Sequence, residues 1–334
     1  MTLHYAGQPG QGYGWGTCNT HLRAELAKLV TLNDGTANIV FMPLADHDLN
    51  PATPARGEVN LAYTFFEFEL GPNAAANAAK YDLIFAGSTW CIDRLAERGI
   101  TNTALLIQGV NGDVFSPQPK RKPDGQFRIF SGGKFEYRKG QDLVIAAFRE
   151  FSQAHPEAHL VCSWFNPWPG LIHDMFRHDI QINRPMGVFQ TQETFFYCAL
   201  TEHGIHPEQF TILPQLSHAD LAREMANTDA GLFPNRCEGG TNLVLMEYAA
   251  LGRPVIANVL TGHADVAEAI HYAIPAKENP ETRWAEQRVE DIVERLEMAL
   301  HYRNAPYLSG IPRWSWSDAA EKIVTTARKY FTRL

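Results

Sequence analysis

The sequence predicts an α/β protein with two parallel sheets, one in each half of the chain. Three observations predict it. Short apolar runs of strand length alternate with segments of helical period along most of the 334 residues. That alternation breaks once, in a polar stretch rich in turn formers, and then restarts. With 45% hydrophobic and 20% charged residues, the chain is globular in composition and long enough for two ordinary domains.

In the first half, strands are expected near Leu3–Ala6, Asn38–Pro43, Leu83–Ala86 and Ala104–Gln108, with a helix from about Thr20 to Val30. The break follows at Gly109–Gly125, where Asn111-Gly112-Asp113, Pro117, Pro119 and Pro123-Asp124-Gly125 succeed one another without an apolar period. The second half restarts with Phe127–Phe130, then a helix Gln141–Phe151 in which Leu143, Val144, Ala147, Phe148 and Phe151 recur at spacings of one, three and four. Strands at Leu160–Ser163, Phe210–Leu213, Ala230–Phe233 and Val255–Ala257 continue the pattern, with helices near Ala219–Asn227, Asn242–Ala250 and Val289–His301. A last helix, about Asp318–Phe331, follows Ser315 and Ser317, either of which can cap its first turn. The expected division is therefore 1–118, 119–315 and a terminal helix 316–334 that packs back toward the first domain.

Charge and cysteine usage exclude several classes. Lys and Arg total 29 against 37 Asp and Glu, a formal net charge of −8, which argues against a sequence-independent grip on nucleic acid. Residues 1–118 hold six Lys or Arg against eleven Asp or Glu, so stable attachment to anionic lipid is not expected either. No run of about 18 apolar residues occurs and the first residues lack a basic-then-apolar layout, so a cytoplasmic protein is expected. The five cysteines are scattered and form no CxxC pair, which predicts buried free thiols rather than a disulfide framework or a zinc site.

Four segments could carry chemistry. Gly10, Gly12, Gly14 and Gly16 lie between the first strand and the first helix, where alternate glycines let backbone amides approach a phosphate or sugar; the bland reading is a tight turn. Their spacing is not GxGxxG, which disfavours a dehydrogenase. Ser131-Gly132-Gly133-Lys134 through Lys139-Gly140 stands at the carboxyl end of a strand, where open α/β sheets bind ligands, and its cations suit a pyrophosphate. In the third segment, Glu238-Gly239-Gly240-Thr241-Asn242-Leu243 leads into a helix carrying Glu247, and the amides of its first turn can accept a phosphate. The fourth, Tyr63–Glu69, sets acids in alternate register with aromatics; it reads as a strand edge or as the wall of a cleft.

Together these segments resemble glycosyltransferase family 4 of the GT-B fold. The resemblance is carried by the glycine loop, Gly109-Val110-Asn111 with Phe115 and Pro117, Gly133-Lys134 with Lys139-Gly140, Glu238-Gly239-Gly240 with Glu247, and Gly252 with Pro254-Val255-Ile256. It implies two Rossmann-like domains facing across a cleft, the second holding a nucleotide diphosphate sugar and the first mainly the acceptor. By this resemblance Lys134 replaces the usual arginine, and it and Lys139 hold the diphosphate, while Glu238 contacts the transferred sugar and Glu247 the ribose. Gly12, Gly14 and Gly16 then close over the donor, which Gly133, Gly239, Gly240, Thr241, Asn242 and Leu243 also touch.

Two departures stand out. Glu238 and Glu247 enclose eight residues where the family has seven, so either the loop absorbs one residue or Gly239 fills the aligned position. Where many relatives carry a histidine in the first domain, this chain has Phe65-Phe66-Glu67, with Glu67 the candidate on the acceptor side. The implied activity is hexosyl transfer with retention of configuration, without a metal or cofactor, to a saccharide, small-molecule or protein acceptor, with a homo-oligomer as an open possibility. Open alternatives are a nucleotide-sugar binding protein without transfer activity, a phosphorylase and a nucleotide-sugar epimerase.

Overall fold

Two six-stranded sheets, parallel throughout, carry the fold of this computed structural model. The structure describes residues 1–10, 14–34, 37–119, 123–172, 175, 190–304 and 314–331. The chain divides into two compact units: Met1–Asn111 with Glu238–Leu243 and Arg313–Leu334, and Gly112–Cys237 with Val244–Pro312.

The first unit contains β1 (Thr2–Tyr5), α1 (Gly14–Leu29), β2 (Thr31–Leu32), β3 (Ile39–Pro43), β4 (Val59–Thr64), α2 (Ala74–Ala78), β5 (Leu83–Ala86), α3 (Thr89–Glu97) and β6 (Thr103–Leu105), in sheet order β2-β1-β3-β4-β5-β6. Successive residues of β3 point to opposite faces, and both faces are buried. Ile39 and Phe41 pack with Leu22 and Leu26 of α1 and with Ile323, Val324 and Ala327 of the C-terminal helix Trp316–Phe331. Val40 and Met42 pack on the other side with Ala74, Ala78 and Leu95. Ser315 caps the C-terminal helix, its Oγ accepting from the Asp318 amide at 3.0 Å.

The helices α2 and α3 and the short strand β2 are not among the expected elements, and two further differences bear on the packing. The first helix begins at Gly14 rather than near Thr20, because Thr17 and Asn19 face inward and hide the apolar period. Asn19 Oδ1 accepts from Tyr5 Oη at 2.8 Å and Asn19 Nδ2 donates to the Gln8 carbonyl at 3.1 Å, so a polar residue does the packing. The strand Val59–Thr64 starts before the expected strand edge Tyr63–Glu69 and shares only Tyr63 and Thr64 with it, the chain leaving the sheet at Phe65. It is buried at five of six positions and so shows no alternation, and its register with β3 and β5 comes from distant partners.

The second unit contains β7 (Phe127–Lys134), α4 (Gln141–Ala154), β8 (Ala158–Phe165), α5 (Pro169–Ile172), α6 (Gln192–Glu202), β9 (Phe210–Ile212), α7 (His218–Ala226), β10 (Ala230–Phe233), α8 (Leu243–Ala250, all but its first residue), β11 (Val255–Ala257), β12 (Tyr272–Ala273), an antiparallel pair β13 (Ala276–Glu278) and β14 (Ala285–Gln287), and α9 (Val289–His301). The main sheet runs β12-β11-β10-β7-β8-β9. Val144, Ala147, Phe148 and Phe151 of α4 pack on Ile129 and Leu160 with Ile292 and Leu296 of α9, the face that the helical spacing predicted. All five cysteines are free thiols, four of them buried.

Candidate functional site

In the second unit the chain runs from β7 outward to β8 and β9, then returns to β10 on the other side of β7. Ligands of open α/β sheets bind outside the carboxyl ends of strands where the order reverses in this way. The carboxyl ends of β7 and β10, which pair through Ile129 with Ala230 and Phe130 with Gly231, therefore define the candidate site.

β7 ends in Gly133-Lys134. Gly133 has a φ of +123°, and its place beside Lys139 leaves the lysine stem packed along the backbone, with Cδ 3.9 Å from where a Cβ would stand. Lys139 closes a short 3-10 turn, Tyr137–Lys139, and Gly140 then takes a left-handed φ of +74° to start α4. A side chain at Gly140 would run into the Pro234 carbonyl at the end of β10, so glycine is required there.

The two strand ends are stitched together. The Arg138 carbonyl accepts from the Arg236 amide at 2.7 Å and the Cys237 amide at 3.2 Å, and Arg138 Nη1 donates back to the Cys237 carbonyl at 3.2 Å. Arg236 makes a bidentate pair with Asp142 at 2.8 and 2.5 Å, donates to the Tyr137 carbonyl at 2.8 Å, and lies with its guanidinium 3.8 Å from the Tyr137 ring centre. Beside this clamp, Glu136 Oε1 lies 3.3 Å from Lys134 Nζ and 2.6 Å from Arg138 Nη2. The result is a cross-linked corner in which, among the described residues, Lys134, Arg138, Lys139 and Arg236 stand near Glu136 and Asp142. Cations gathered on a glycine-containing turn are of the chemical type that can hold an anion.

Glu247 lies in α8, which follows β10. It is buried, has no hydrogen-bond or ion-pair partner among the described residues, and burial pushes its carboxyl up to about 8. A lone buried carboxyl of this kind awaits a donor, because leaving it ionised and unpaired is costly.

Glu238–Leu243 belongs to the first unit by its contacts. The Gly239 carbonyl accepts from Ser88 Oγ at 2.7 Å and faces Cys91 Sγ at 3.0 Å, and the Gly239 amide donates to Glu67 Oε1 at 3.3 Å. A Cβ at Gly239 would stand 2.6 Å from the Phe66 amide nitrogen, and one at Gly240 would meet Gln108 Oε1 at 2.8 Å. Glu238, Thr241 and Asn242 are buried. Asn242 has a left-handed φ of +60° immediately before α8.

A model of the family described as Glycosyl transferases group 1 matches residues 115–305, more than half of the chain and every strand of the second sheet. The chain belongs to this family. Among solved structures it is similar to sucrose-phosphate synthase from Thermosynechococcus elongatus, with a TM-score of 0.65, 16% identity, and coverage of 89% of this chain and 74% of that one. It is likewise similar to Anabaena HepE solved with UDP and glucose, with a TM-score of 0.63, 12% identity and coverage of 98% and 99%. The trehalose-6-phosphate synthase OtsA follows with a TM-score of 0.61, 13% identity and coverage of 95% and 78%. At these identities the likeness is one of fold: two parallel-sheet α/β domains like those of GT-B glycosyltransferases. No curated protein sequence matches the chain.

For this glycosyltransferase, Gly133, Lys134 and Lys139 lie together on the β7 side of the corner. Glu67 meets the loop of Glu238, Gly239, Gly240, Thr241, Asn242 and Leu243 through the Gly239 amide. Gly14 and Gly16 fall inside the first turn of α1 and not in a loop, and Gly12 lies outside the described residues. Sequence reasoning missed Glu136, Asp142 and Arg236. A signal existed for Arg236, a charged residue three positions after a buried strand, but its partner stands 94 residues away. Among the described residues no group of three or more His, Cys, Asp or Glu could hold a metal ion, and no helix is long and apolar enough to cross a membrane.

Proposed function

We propose that the protein moves a hexosyl group from a nucleotide diphosphate sugar to an acceptor hydroxyl with retention of configuration, as the resemblance to family 4 implies. The observation that carries this reading is the pair Lys134 and Lys139, on a rigid corner at the reversal of strand order beside β10. In the step, the bond from the anomeric carbon to the diphosphate oxygen breaks, the acceptor oxygen bonds to that carbon from the same face, and the acceptor proton passes to an oxygen of the leaving diphosphate. Negative charge grows on the diphosphate as the bond breaks. Lys134 and Lys139, with the amides at the start of α8, are the groups suited to stabilise it, a term that often dominates catalysis.

Glu238 contacts the transferred sugar, Glu247 accepts from the ribose hydroxyls, and Gly239, Gly240, Thr241, Asn242 and Leu243 bring backbone donors to the donor substrate. Gly12, Gly14 and Gly16 add backbone at the sugar, and Glu67 serves the acceptor side. No metal or cofactor is required, because lysines and helix amides supply the positive charge that a divalent cation would. The acceptor is a saccharide, small molecule or protein reached from the cytoplasm.

The test begins with a panel of nucleotide sugars in a thermal-shift assay, since a ligand that binds only the native state raises its apparent stability. With the matched donor, Lys134→Ala and Lys139→Ala should each raise the barrier by about 2–4 kcal/mol, the cost of losing one oriented donor. Turnover should survive EDTA, and the product anomer read by NMR should match the donor. Unchanged turnover in both lysine variants would end the proposal.

A further inference from the structure

A peptide between two glycines is the least constrained in a chain, yet Gly239-Gly240 is held firmly within the first unit. Gly239 commits both of its backbone groups to side chains. Its carbonyl accepts from Ser88 Oγ at 2.7 Å and faces Cys91 Sγ at 3.0 Å, and its amide donates to Glu67 Oε1 at 3.3 Å. Ser88 and Cys91 are fully buried at the start of α3. The Ser88 hydroxyl has two functions there. Its oxygen accepts from the Cys91 amide at 3.1 Å and so caps the helix, while its hydrogen goes to Gly239. A cap needs only an accepting oxygen, so the donation to Gly239 is a function of its own.

That donation fixes a direction. In a trans peptide the carbonyl and the following N–H point to opposite sides of the bond, so a Gly239 carbonyl turned toward Ser88 leaves the Gly240 N–H turned away from it. Gly240 is buried, and among the described residues its amide has no hydrogen-bond partner. Nearly all buried amides in folded proteins are paired, because an unpaired one loses its hydration without compensation. Were this peptide to turn over, the N–H would face Ser88 and a carbonyl would take its place, which repels the same oxygen atoms that the amide attracts. With no Cβ on either residue, the glycines themselves oppose that rotation weakly. Ser88 and Cys91 oppose it.

We propose that Ser88 and Cys91 are positioning residues for the transfer, locking the Gly239-Gly240 peptide so that the Gly240 amide is presented to an oxygen of the bound nucleotide sugar. The proposal rests on the reading of the Glu238–Leu243 loop as part of the donor site. Both side chains act on the ligand through the peptide. The ligand atom is an oxygen with a free lone pair, carried by the diphosphate or by a sugar hydroxyl, and binding it completes the hydrogen bonding of the loop.

Calorimetric titration of wild type, Ser88→Ala and Cys91→Ala with UDP, GDP, ADP and their glucose or mannose esters tests it, each protein held below the onset of its own thermal melt. Ser88→Ala should bind whichever probe the wild type binds about three- to tenfold more weakly, the effect of one hydrogen bond. Equal weakening of diphosphate and ester assigns the amide to a phosphate oxygen; weakening of the ester alone assigns it to the sugar. Loss of the α3 cap lowers the melting temperature but not the affinity of folded protein, so the two functions of Ser88 separate. Should Ser88→Ala not fold, Cys91→Ala keeps the cap and should weaken binding in the same sense by less, a thiol being a poor donor. The peptide can also be observed directly. Gly132-Gly133 and Gly239-Gly240 are the two Gly-Gly pairs of the sequence, so protein carrying 13C-carbonyl, 15N-labelled glycine gives one NMR correlation for each. The Gly240 amide proton should move downfield as the probe binds wild type, and by less in Ser88→Ala. Wild-type binding with a stationary Gly240 resonance, or with unchanged affinity in the variants that fold, overturns the proposal alone. Wild-type protein that binds none of the probes overturns the donor reading and the proposal with it.

Discussion

Replacing Glu247 by Gln should make the ligand-free protein more stable, and increasingly so as the pH rises. The carboxyl is buried without a partner, and burial moves it from an ordinary 4.5 to about 8. Between those values the native state holds a proton that the unfolded state has lost. Stability therefore falls with rising pH across the window from about 4.5 to about 8, at about 1.4 kcal/mol per pH unit, and is constant on either side as far as this group is concerned. The window of about 3.5 units gives a loss of about 4–5 kcal/mol by pH 8. Gln keeps the shape and the neutral hydrogen-bonding group and does not ionise. Urea melts of wild type and Glu247→Gln at half-unit steps from pH 5 to 9 should converge at the acid end and diverge by a few kcal/mol at pH 8. UDP affinity should rise more through the same window in wild type than in the variant, because ribose hydroxyls favour the ionised carboxyl, whereas ionisation of the UDP phosphate at a pH of about 6 acts on both proteins alike. Parallel stability curves at pH 5 and pH 8 would refute the reasoning, since they would mean that the carboxyl is already charged in the native protein.

Three further outcomes follow from the same geometry. Arg236→Met or Asp142→Leu alone leaves its partner buried and uncompensated and should cost about 3–5 kcal/mol in denaturant melts. The double replacement should recover much of that stability while pyrophosphate binding stays weak in calorimetry, because the turn carrying Lys139 has lost its clamp. Gly140→Ala forces a left-handed backbone on an L side chain and a contact with the Pro234 carbonyl, so it should lower stability by about 1–3 kcal/mol and weaken pyrophosphate binding in the same titration.

The sequence was most legible where local chemistry and burial agree. Val289–His301 has the observed bounds because its apolar residues recur at helical spacing and its other face is charged. Lys134 and Lys139 stood out because a Gly-Gly pair ends an apolar run just before them, which is a local signal. Legibility failed where a residue's role depends on a distant partner. Asn19 looks like a loop residue until its hydrogen bonds with Tyr5 and Gln8 are seen, and Thr17 until it is seen to be buried. Val59–Thr64 carries no alternation because both of its faces are covered. Arg236, Asp142 and Glu136 each look like ordinary surface charge in sequence, and only the pairing of β7 with β10 brings them to one corner.

That corner also explains why an ion pair is used where an apolar contact would hold the fold as well. Buried ion pairs are weak sources of stability, and hydrophobic replacements often match them. Their advantage is directional. The Arg236 fork fixes two oxygens of Asp142 and the Tyr137 carbonyl at once, which sets the angle of the turn as well as its distance. A methionine could fill that volume and leave the turn free to rotate. Because the pair is neutral as a unit, it supplies this rigidity without adding net charge at the carboxyl end of β7. The double replacement should therefore change how well Lys139 is aimed without changing the net charge of the site.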